Sequence, residues 1–298
     1  MAAVSTTTPR GTPGTDPVTA EPPQTGHALL IGASRGLGEA VARHLAATGW
    51  QVTIGARSAD RLHAIAAELT AAGGQVHAVT VDVADADSVA HLFTAATERF
   101  GVPLGLVHLA ARYGPFGAVS SVAAAEWERT IATNVTGTFT VLRHAARVMG
   151  PVGRGRIIVL SGGGATAPQP TLSAYAASKA AVVRLVETFA REVAGSGLAV
   201  NAIAPGLLAT DMLDELLAAG PEVVDAAFYQ RMVTAKATGE DRTPDAVAAI
   251  DFLLRTDIPG LTGRLIAAVW DPWRQWQADP SALADPDAFT LRRQVPGP

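Results

Sequence analysis

Short runs of apolar residues alternate along the chain with longer, alanine-rich segments in which apolar residues recur at helical spacing. Short runs without polar interruptions are typical of strands that are buried on both faces of a parallel sheet. Several of the longer segments end at glycine, a common residue at helix C-termini. The pattern predicts strands over residues 28–31, 51–56, 75–81, 104–109, 156–160, 198–203 and 264–268. It predicts helices over residues 37–47, 59–72, 88–100, 124–149, 174–194 and 244–254.

This alternation predicts an α/β fold with one doubly wound, seven-stranded parallel sheet and helices on both faces, in a single domain over residues 27–270. Residues 1–26 are mainly Thr, Pro, Ala and Gly, and we expect a disordered leader because they offer little surface to bury. Residues 210–238 interrupt the alternation, which predicts a lid insertion over a site. Residues 271–298 form a tail, and we expect the tryptophans near its start to dock on their own domain rather than complete a neighbour's pocket.

Composition and charge narrow the class of partner. Hydrophobic residues make up 48% of the 298 residues and charged residues only 17%, which favours a globular protein with a large core. The formal net charge of −4 and a pI near 6.0 give no basic field that would attract nucleic acid or an anionic membrane surface. A small-molecule partner is therefore favoured.

The sequence supports neither cysteine chemistry nor metal binding, and it contains no candidate membrane span. The absence of cysteine excludes disulfides, thiolate metal ligands and a cysteine nucleophile. The seven histidines form no pair at ligand spacing, so we expect no metal site. No uncharged apolar run approaches the roughly 18 residues that a membrane span needs, and we expect a cytoplasmic location.

A glycine-rich turn joins the first predicted strand to the first predicted helix. Its glycines allow a tight turn and a close approach of the backbone to a pyrophosphate, which the free N–H groups of the helix N-terminus would bind. An ordinary strand-to-helix turn would explain the glycines equally well if they stood alone, but the strand–helix context favours a dinucleotide. The turn consists of Gly32, Ala33, Ser34, Arg35, Gly36, Leu37 and Gly38.

The end of the second predicted strand bears on which dinucleotide is bound. Arg57 stands where an acidic side chain would hold the ribose hydroxyls of NAD(H). Arg57 and Arg35 would together bind a 2′-phosphate through charge-assisted hydrogen bonds, so NADP(H) is preferred and NAD(H) is less favoured. Arg57 could instead be a solvated arginine at the start of a helix. Asp82, at the end of the third strand, would accept a hydrogen bond from adenine or simply form a turn or helix cap.

Tyr175 and Lys179 are four residues apart in a segment of high helix propensity, so they share one helix face. A neighbouring ammonium group favours the phenolate and would lower the pKa of Tyr175 towards a value useful for acid–base catalysis. On its own, the spacing fits a packed ring and a solvated amine better.

These motifs together resemble the short-chain dehydrogenase/reductase family over about residues 28–269, which implies a Rossmann fold. The resemblance implies that Tyr175 is the catalytic acid/base, that Lys179 lowers its pKa and holds the nicotinamide ribose, and that Asn134 positions a relay water. Thr210 would hold the nicotinamide carboxamide. The remaining residues on the cofactor side would be Asp82, Val83, Ala110, Pro205 and Gly206.

Two positions depart from the family pattern. The serine that donates to the substrate oxygen usually stands 13 residues before the tyrosine, where this chain has Gly162. Ser161, Thr166 or a backbone N–H would have to replace it, and Ser161 is suitable only if the chain leaves strand geometry before it. The family's Asn-Asn-Ala-Gly turn reads His108, Leu109, Ala110 and Ala111 here, and we interpret His108 as a buried histidine that is bonded to backbone.

The resemblance implies an NADPH-dependent oxidoreductase that reduces a ketone or other carbonyl, reversibly, by hydride transfer with Tyr175 as proton donor. Gly162 leaves open a non-redox enzyme (dehydratase, isomerase or cyclase) and a non-catalytic NADP-binding regulator. The family implies a homodimer or homotetramer formed through the helices that carry Asn134 and Tyr175. Apolar residues in the predicted lid favour an apolar or aromatic substrate: Met212, Leu213, Leu216, Leu217, Phe228 and Tyr229. Residues 112–116 and 162–172 would form the other pocket walls.

Overall fold

A computed structural model describes residues 26–293. All but the last residue of the predicted leader, and the end of the predicted tail, lie outside the described residues. Within the described part, seven parallel strands form one sheet in the order β3-β2-β1-β4-β5-β6-β7, which confirms the predicted fold class. The strands are β1 (His27–Ile31), β2 (Gln51–Ala56), β3 (Gln75–Thr80), β4 (Gly105–His108), β5 (Gly155–Leu160), β6 (Leu198–Ala204) and β7 (Leu265–Ala267).

Helices cover both faces of the sheet because successive strand residues point to opposite sides. On β1, Leu30 belongs to an apolar cluster formed with α1, α2 and α9, whereas Leu29 and Ile31 belong to a second cluster formed with α3, α5 and α6. The helices are α1 (Gly36–Ala47), α2 (Ala59–Ala71), α3 (Ala86–Phe100), α4 (Ala124–Ile131), α5 (Gly137–Met149), α6 (Ser173–Glu192), α7 (Asp211–Ala219), α8 (Ala226–Thr238) and α9 (Thr243–Arg255).

The strand order reverses between β1 and β4. The chain runs outward from β1 to β3 and then returns to the other side of β1, so the connections after β1 and β4 leave the sheet in opposite directions. This separation opens a crevice at the carboxyl ends of the two strands, the usual ligand position in open α/β sheets.

Two predicted helices differ from the structure. The single helix expected over residues 124–149 contains a π-helical turn over Ala132–Thr136 between α4 and α5. The helix expected to begin at Ser88 begins at Ala86, because the Asp85 carboxylate caps its N-terminus by accepting from the N–H groups of Asp87 and Ser88.

The described part of the tail docks on its own domain, as expected. Trp273 and Trp276 are buried in the same apolar cluster as α1 and α9, and Trp273 Nε1 donates to the carbonyl of Ala268 at 2.8 Å. Trp270, in contrast, is 80% exposed. Within residues 26–293, no helix combines the length and the apolar character that a membrane span requires.

Candidate active site

A cleft of about 380 Å³ opens at the carboxyl ends of β1 and β4. The glycine turn forms one wall, the residues after β2, β3 and β4 form the floor, and the start of α7 lies over it. The structure therefore brings most of the predicted cofactor residues together: Gly32, Ser34, Arg35, Gly36, Leu37, Gly38, Arg57, Asp82, Val83, Ala110 and Thr210. Pro205 and Gly206 do not line this cleft.

Glycine is required at two positions of the turn. Gly32 has a φ of +92°, and a β-carbon there would lie 2.5 Å from the backbone nitrogen of Ala110. A β-carbon on Gly38 would lie 2.0 Å from the carbonyl oxygen of Gly32. The turn therefore packs directly on the end of β4, and the first residues of α1 line the cleft. This is a fitting cradle for the pyrophosphate of a dinucleotide.

Three arginines line the cleft at the end that is closest to the C-terminus of β2. Arg35 and Arg57 were predicted there, and Arg61 in the first turns of α2 was not. Asp211 was missed as well: its Oδ2 accepts from Nη1 of Arg35 at 3.1 Å and from Nη1 of Arg61 at 3.3 Å. Arg61 lies in the first turn of α2, four residues after Arg57, and this proximity could have indicated it, but no local pattern links Asp211 to either partner.

Asp82 has the structure of a turn former. Its Oδ1 accepts from the N–H of Ala84 at 3.0 Å, while its own N–H donates to the Ser88 hydroxyl at 3.1 Å. The helix cap is supplied by Asp85 instead. Asp82 and Val83 nevertheless line the cleft.

Tyr175 and Lys179 share a face of α6 beyond the inner end of the cleft. Lys179 is buried, and its Nζ donates to the carbonyl of Leu160 at 2.9 Å and lies 5.5 Å from the centroid of the Tyr175 ring. Neither residue lines the cleft of about 380 Å³, but Leu160 does. The pair is therefore connected to the glycine-turn cleft through the end of β5.

The predicted lowering of the Tyr175 pKa is not present in this structure. Burial raises the pKa of Tyr175, and the neighbouring Tyr113 raises it further. Burial also lowers the pKa of Lys179 to about 7. A lowered Tyr175 pKa requires a charged ammonium group beside the phenol, whereas the desolvated Lys179 is readily neutral and then offers the phenolate no charge.

Asn134 lies in the π-helical turn, which places its side chain between two other elements. Nδ2 donates to the carbonyl of Arg112 at 2.9 Å and to the hydroxyl of Ser178 at 2.9 Å, and Oδ1 accepts from the N–H of Arg112 at 3.0 Å. The amide thereby fixes the loop after β4 against α6. Its contact on α6, Ser178, directly precedes Lys179.

His108 is buried at the end of β4, but its hydrogen-bond partner is a side chain rather than the predicted backbone. Nε2 lies 3.1 Å from Oγ1 of Thr138, and that hydroxyl donates its single proton to the carbonyl of Asn134 at 2.7 Å. Nε2–H must therefore be the donor, which leaves Nδ1 as an acceptor. Among the described residues, Nδ1 has no hydrogen-bond partner. Burial, with a smaller effect of Lys179, lowers the pKa of His108 to about 3.

Gly162 occupies the position that faces the Tyr175 hydroxyl. A β-carbon on Gly162 would lie 2.9 Å from that oxygen. The neighbouring Ser161 is buried, and its Oγ has no hydrogen-bond partner among the described residues. The Thr166 hydroxyl is engaged with the carbonyl of Gly163 at 3.3 Å.

An apolar lid covers the region outside Tyr175. The Tyr113 and Tyr175 rings pack in an edge-type geometry with centroids 4.8 Å apart, and burial raises the pKa of Tyr113 to about 12. Tyr113 and Phe116 pack on a small cluster formed by α7 and α8. Leu213 and Leu216 are buried inside that cluster, so they stabilise the lid itself.

Comparisons with known proteins agree with this geometry. Residues 26–220 match the family described as "short chain dehydrogenase". The chain is 36% identical over 190 residues to a 3-oxoacyl-[acyl-carrier-protein] reductase of Synechocystis sp., covering 63% of this chain and 76% of that protein. It is 32% identical over 268 residues to the granaticin polyketide synthase putative ketoacyl reductase 1 of Streptomyces violaceoruber, covering 88% of this chain and 96% of the relative.

Solved structures show the same similarity. A variant of actinorhodin polyketide ketoreductase with NADPH superposes with a TM-score of 0.73 at 28% identity, covering 82% of this chain and 95% of that one. Levodione reductase gives a TM-score of 0.74 at 29% identity, covering 81% and 95%. The fold and site thus define an oxidoreductase of the Rossmann type. The chain belongs to the short-chain dehydrogenase/reductase family.

Proposed function

We propose that the protein is an NADPH-dependent carbonyl reductase, which reversibly oxidises a secondary alcohol. The observation that carries this proposal is the position of Lys179, whose Nζ donates to the carbonyl of Leu160, a residue that lines the glycine-turn cleft, and lies 5.5 Å from the centroid of the Tyr175 ring. The relatives named above as ketoacyl reductase, ketoreductase and levodione reductase support carbonyl reduction as the reaction. NADPH, when bound, supplies the hydride.

The chain's own residues hold the cofactor and manage the proton. The glycine turn and the N-terminus of α1 would bind the pyrophosphate, and the family resemblance assigns Thr210 to the nicotinamide carboxamide. The Tyr175 hydroxyl donates its proton to the carbonyl oxygen, and its high pKa in this environment keeps it protonated until it is needed. Lys179 returns a proton to Tyr175, and a pKa of about 7 suits that exchange near neutral pH.

Preference for NADP(H) over NAD(H) is supported by the arginines at the end of β2. Arg57 is exposed and lines the cleft, and no hydrogen bond or ion pair within residues 26–293 engages its guanidinium. A guanidinium group binds phosphate through paired hydrogen bonds, whereas an uncharged ribose hydroxyl gains much less from it.

We propose an apolar or aromatic substrate, bound between Tyr175 and the lid. The Tyr113 ring packs on Tyr175 with centroids 4.8 Å apart, and the Phe116 ring lies 5.8 Å from that of Tyr113, so aromatic surface is present near the proposed proton donor. We also propose a homodimer or homotetramer that uses α5 and α6. Phe139 on α5 is 52% exposed, an apolar side chain that a second copy would cover.

The test is a screen of ketones, aldehydes and quinones with NADPH, following its absorbance, with wild type and Tyr175→Phe. We expect wild type to oxidise NADPH, and Tyr175→Phe to lose more than about 10²-fold in kcat while binding NADPH as wild type does. Full activity of the variant would contradict the role of Tyr175. Substrate conversion without an absorbance change would favour the non-redox alternative, whose motivation is the glycine at position 162.

A further inference from the structure

The carboxylate of Asp211 lies among the three arginines Arg35, Arg57 and Arg61 at one end of the cleft, which we call the phosphate end. Asp211 Oδ2 is shared between Arg35 Nη1 at 3.1 Å and Arg61 Nη1 at 3.3 Å, and the Asp211 side chain is 46% exposed. Asp211, Arg35 and Arg61 line the same cleft as Arg57. The chain therefore places its own anion where two arginines face the cofactor site.

The Asp211 carboxylate already acts as the anion that pairs with Arg35 and Arg61. The hydrogen bond from Arg35 lowers the pKa of Asp211, with a smaller effect from Arg61, so the carboxylate is ionised near neutral pH. Three guanidinium groups and one carboxylate give this end of the cleft a net charge of +2. Arg35 and Arg61 share Asp211, whereas Arg57 has no partner among the described residues. A second anion at the same guanidinium groups would meet repulsion from Asp211.

Asp211 also connects the phosphate end of the cleft to the lid. It is the first residue of α7, and the preceding Thr210 lies against the glycine turn, where a β-carbon on Gly36 would be 2.8 Å from Thr210 Cγ2. The rest of α7 packs with α8 in a small apolar cluster that is separate from the two clusters flanking the sheet. The ion pairs of Asp211 are thus one of the ties between this lid and the body of the domain.

We propose that Asp211 is a specificity-determining residue: it occupies the 2′-phosphate subsite as an internal competitor, and a 2′-phosphate displaces it from Arg35 and Arg61. This inference rests on the proposed binding of NADP(H). A 2′-phosphate brings close to two negative charges against the single charge of Asp211, and it also gains Arg57. The ribose hydroxyl of NAD(H) carries no charge, so it leaves Asp211 paired and the start of α7 held over the cleft.

The binding test uses Asp211→Asn in the full chain, with 2′,5′-ADP and 5′-ADP as probes in calorimetry. We expect Asp211→Asn to bind 2′,5′-ADP about three- to tenfold more tightly, because each exposed ion pair contributes little, and to bind 5′-ADP within about twofold of wild type. Asp214→Asn is the matched control. Asp214 is also on α7, but it pairs with Lys236 Nζ at 2.5 Å and does not line the cleft, so both probes should bind it as they bind wild type.

Hydrogen exchange of wild type supplies a second measurement. We expect 2′,5′-ADP, but not 5′-ADP, to increase amide exchange in the first turn of α7, because the displaced Asp211 no longer anchors it. Asp211→Asn should show that faster exchange without any ligand.

Each outcome separates this inference from the proposed function. Weaker binding of 2′,5′-ADP by Asp211→Asn would mean that the carboxylate orients the arginines, and unchanged binding would mean that it does not compete; either result overturns the proposal. Wild type that binds NADPH no more tightly than NADH would overturn the proposed NADP(H) preference instead. If wild type prefers NADPH but Asp211→Asn does not bind 2′,5′-ADP more tightly, the proposed NADP(H) preference stands and only the role of Asp211 is overturned.

Discussion

A β-carbon on Gly162 would lie 2.9 Å from the hydroxyl oxygen of Tyr175, closer than side chains normally approach. Gly162 is extended, with φ 172° and ψ 176°, so its backbone would accept any residue. The crowding at position 162 therefore comes from the Tyr175 hydroxyl in its present position and not from the backbone. Tyr175 occupies space that a side chain at position 162 would otherwise fill.

Substitution at Gly162 separates crowding from hydrogen bonding. Gly162→Ala should lower kcat by about tenfold or more, because its methyl group displaces the Tyr175 hydroxyl. Gly162→Ser has the same β-carbon but adds a donor for the substrate oxygen, and we expect its kcat to exceed that of Gly162→Ala by about tenfold or more. Steady-state kinetics with NADPH and a ketone from the screen would measure both. Equal rates for the two variants would show that a hydroxyl at this position has no role.

The buried Lys179 makes stability depend on pH. Below pH 7 the amine is charged in both the folded and the unfolded protein, and folding bears the cost of burying the charge. Between about 7 and the ordinary value of 10.5, the unfolded state binds more protons than the folded state, so the free energy of unfolding rises with pH.

Urea unfolding of wild type and Lys179→Met at a series of pH values from about 6.5 to 9.5 would measure this effect. The methionine does not titrate and has a similar length, so the difference in free energy between the two proteins should change with pH in favour of wild type. A difference that stays constant over this range would show that Lys179 is not desolvated in the folded state.

Local spacing accounts for the parts of this molecule that the sequence predicted. The glycine turn acts within one strand–helix unit, and Tyr175 and Lys179 are one helical turn apart, so short-range geometry is enough to place them. Asp211 pairs with Arg35 across 176 residues, and the Tyr113 ring reaches Tyr175 on α6 from the loop after β4. Such contacts depend on how distant segments pack.

The same reason explains the wrong expectation for the Tyr175 pKa. Helical spacing brings an amine near the phenol, but the pKa of each group depends on burial by other elements, including Tyr113 and the end of β5. The π-helical turn was also missed, because residues 132–136 show no local signal that separates it from an α-helix.

The hydrogen bonds of His108 predict its protonation state. Because Thr138 donates to Asn134, nitrogen NMR of the His108 ring should show a proton on Nε2 and none on Nδ1, without titration between about pH 8 and pH 5, given a pKa of about 3. Thr138→Val removes the acceptor and should lower the free energy of unfolding by about 1–3 kcal/mol, since Nε2–H then has no partner. Protonation of Nδ1 in wild type would contradict the assigned direction of these hydrogen bonds.

The guanidinium of Arg264 ties the tail to the edge of the sheet. The side chain is buried, and it donates to five carbonyl groups: those of Gly260 at 3.0 Å, Leu283 at 2.9 Å, Asp285 at 2.9 Å, Pro286 at 3.0 Å and Ala288 at 2.6 Å. A lysine at this position keeps the charge, but its three N–H donors are all on one nitrogen atom. It therefore cannot reach all the carbonyls that surround the planar guanidinium of Arg264.

Arg264→Lys should therefore lower the free energy of unfolding by about 2–4 kcal/mol and increase protease cleavage within residues 281–293, because carbonyls buried by the tail lose their donors. Arg274→Lys is the control: Arg274 is an exposed tail arginine that pairs with Asp245 at 3.1 Å, and its replacement should cost less than about 1 kcal/mol. Urea unfolding and limited proteolysis measure the two effects. If Arg264→Lys matches wild type in both assays, the tail is held by Trp273, Trp276 and Leu283 in the apolar cluster, and the carbonyl contacts of Arg264 add nothing measurable.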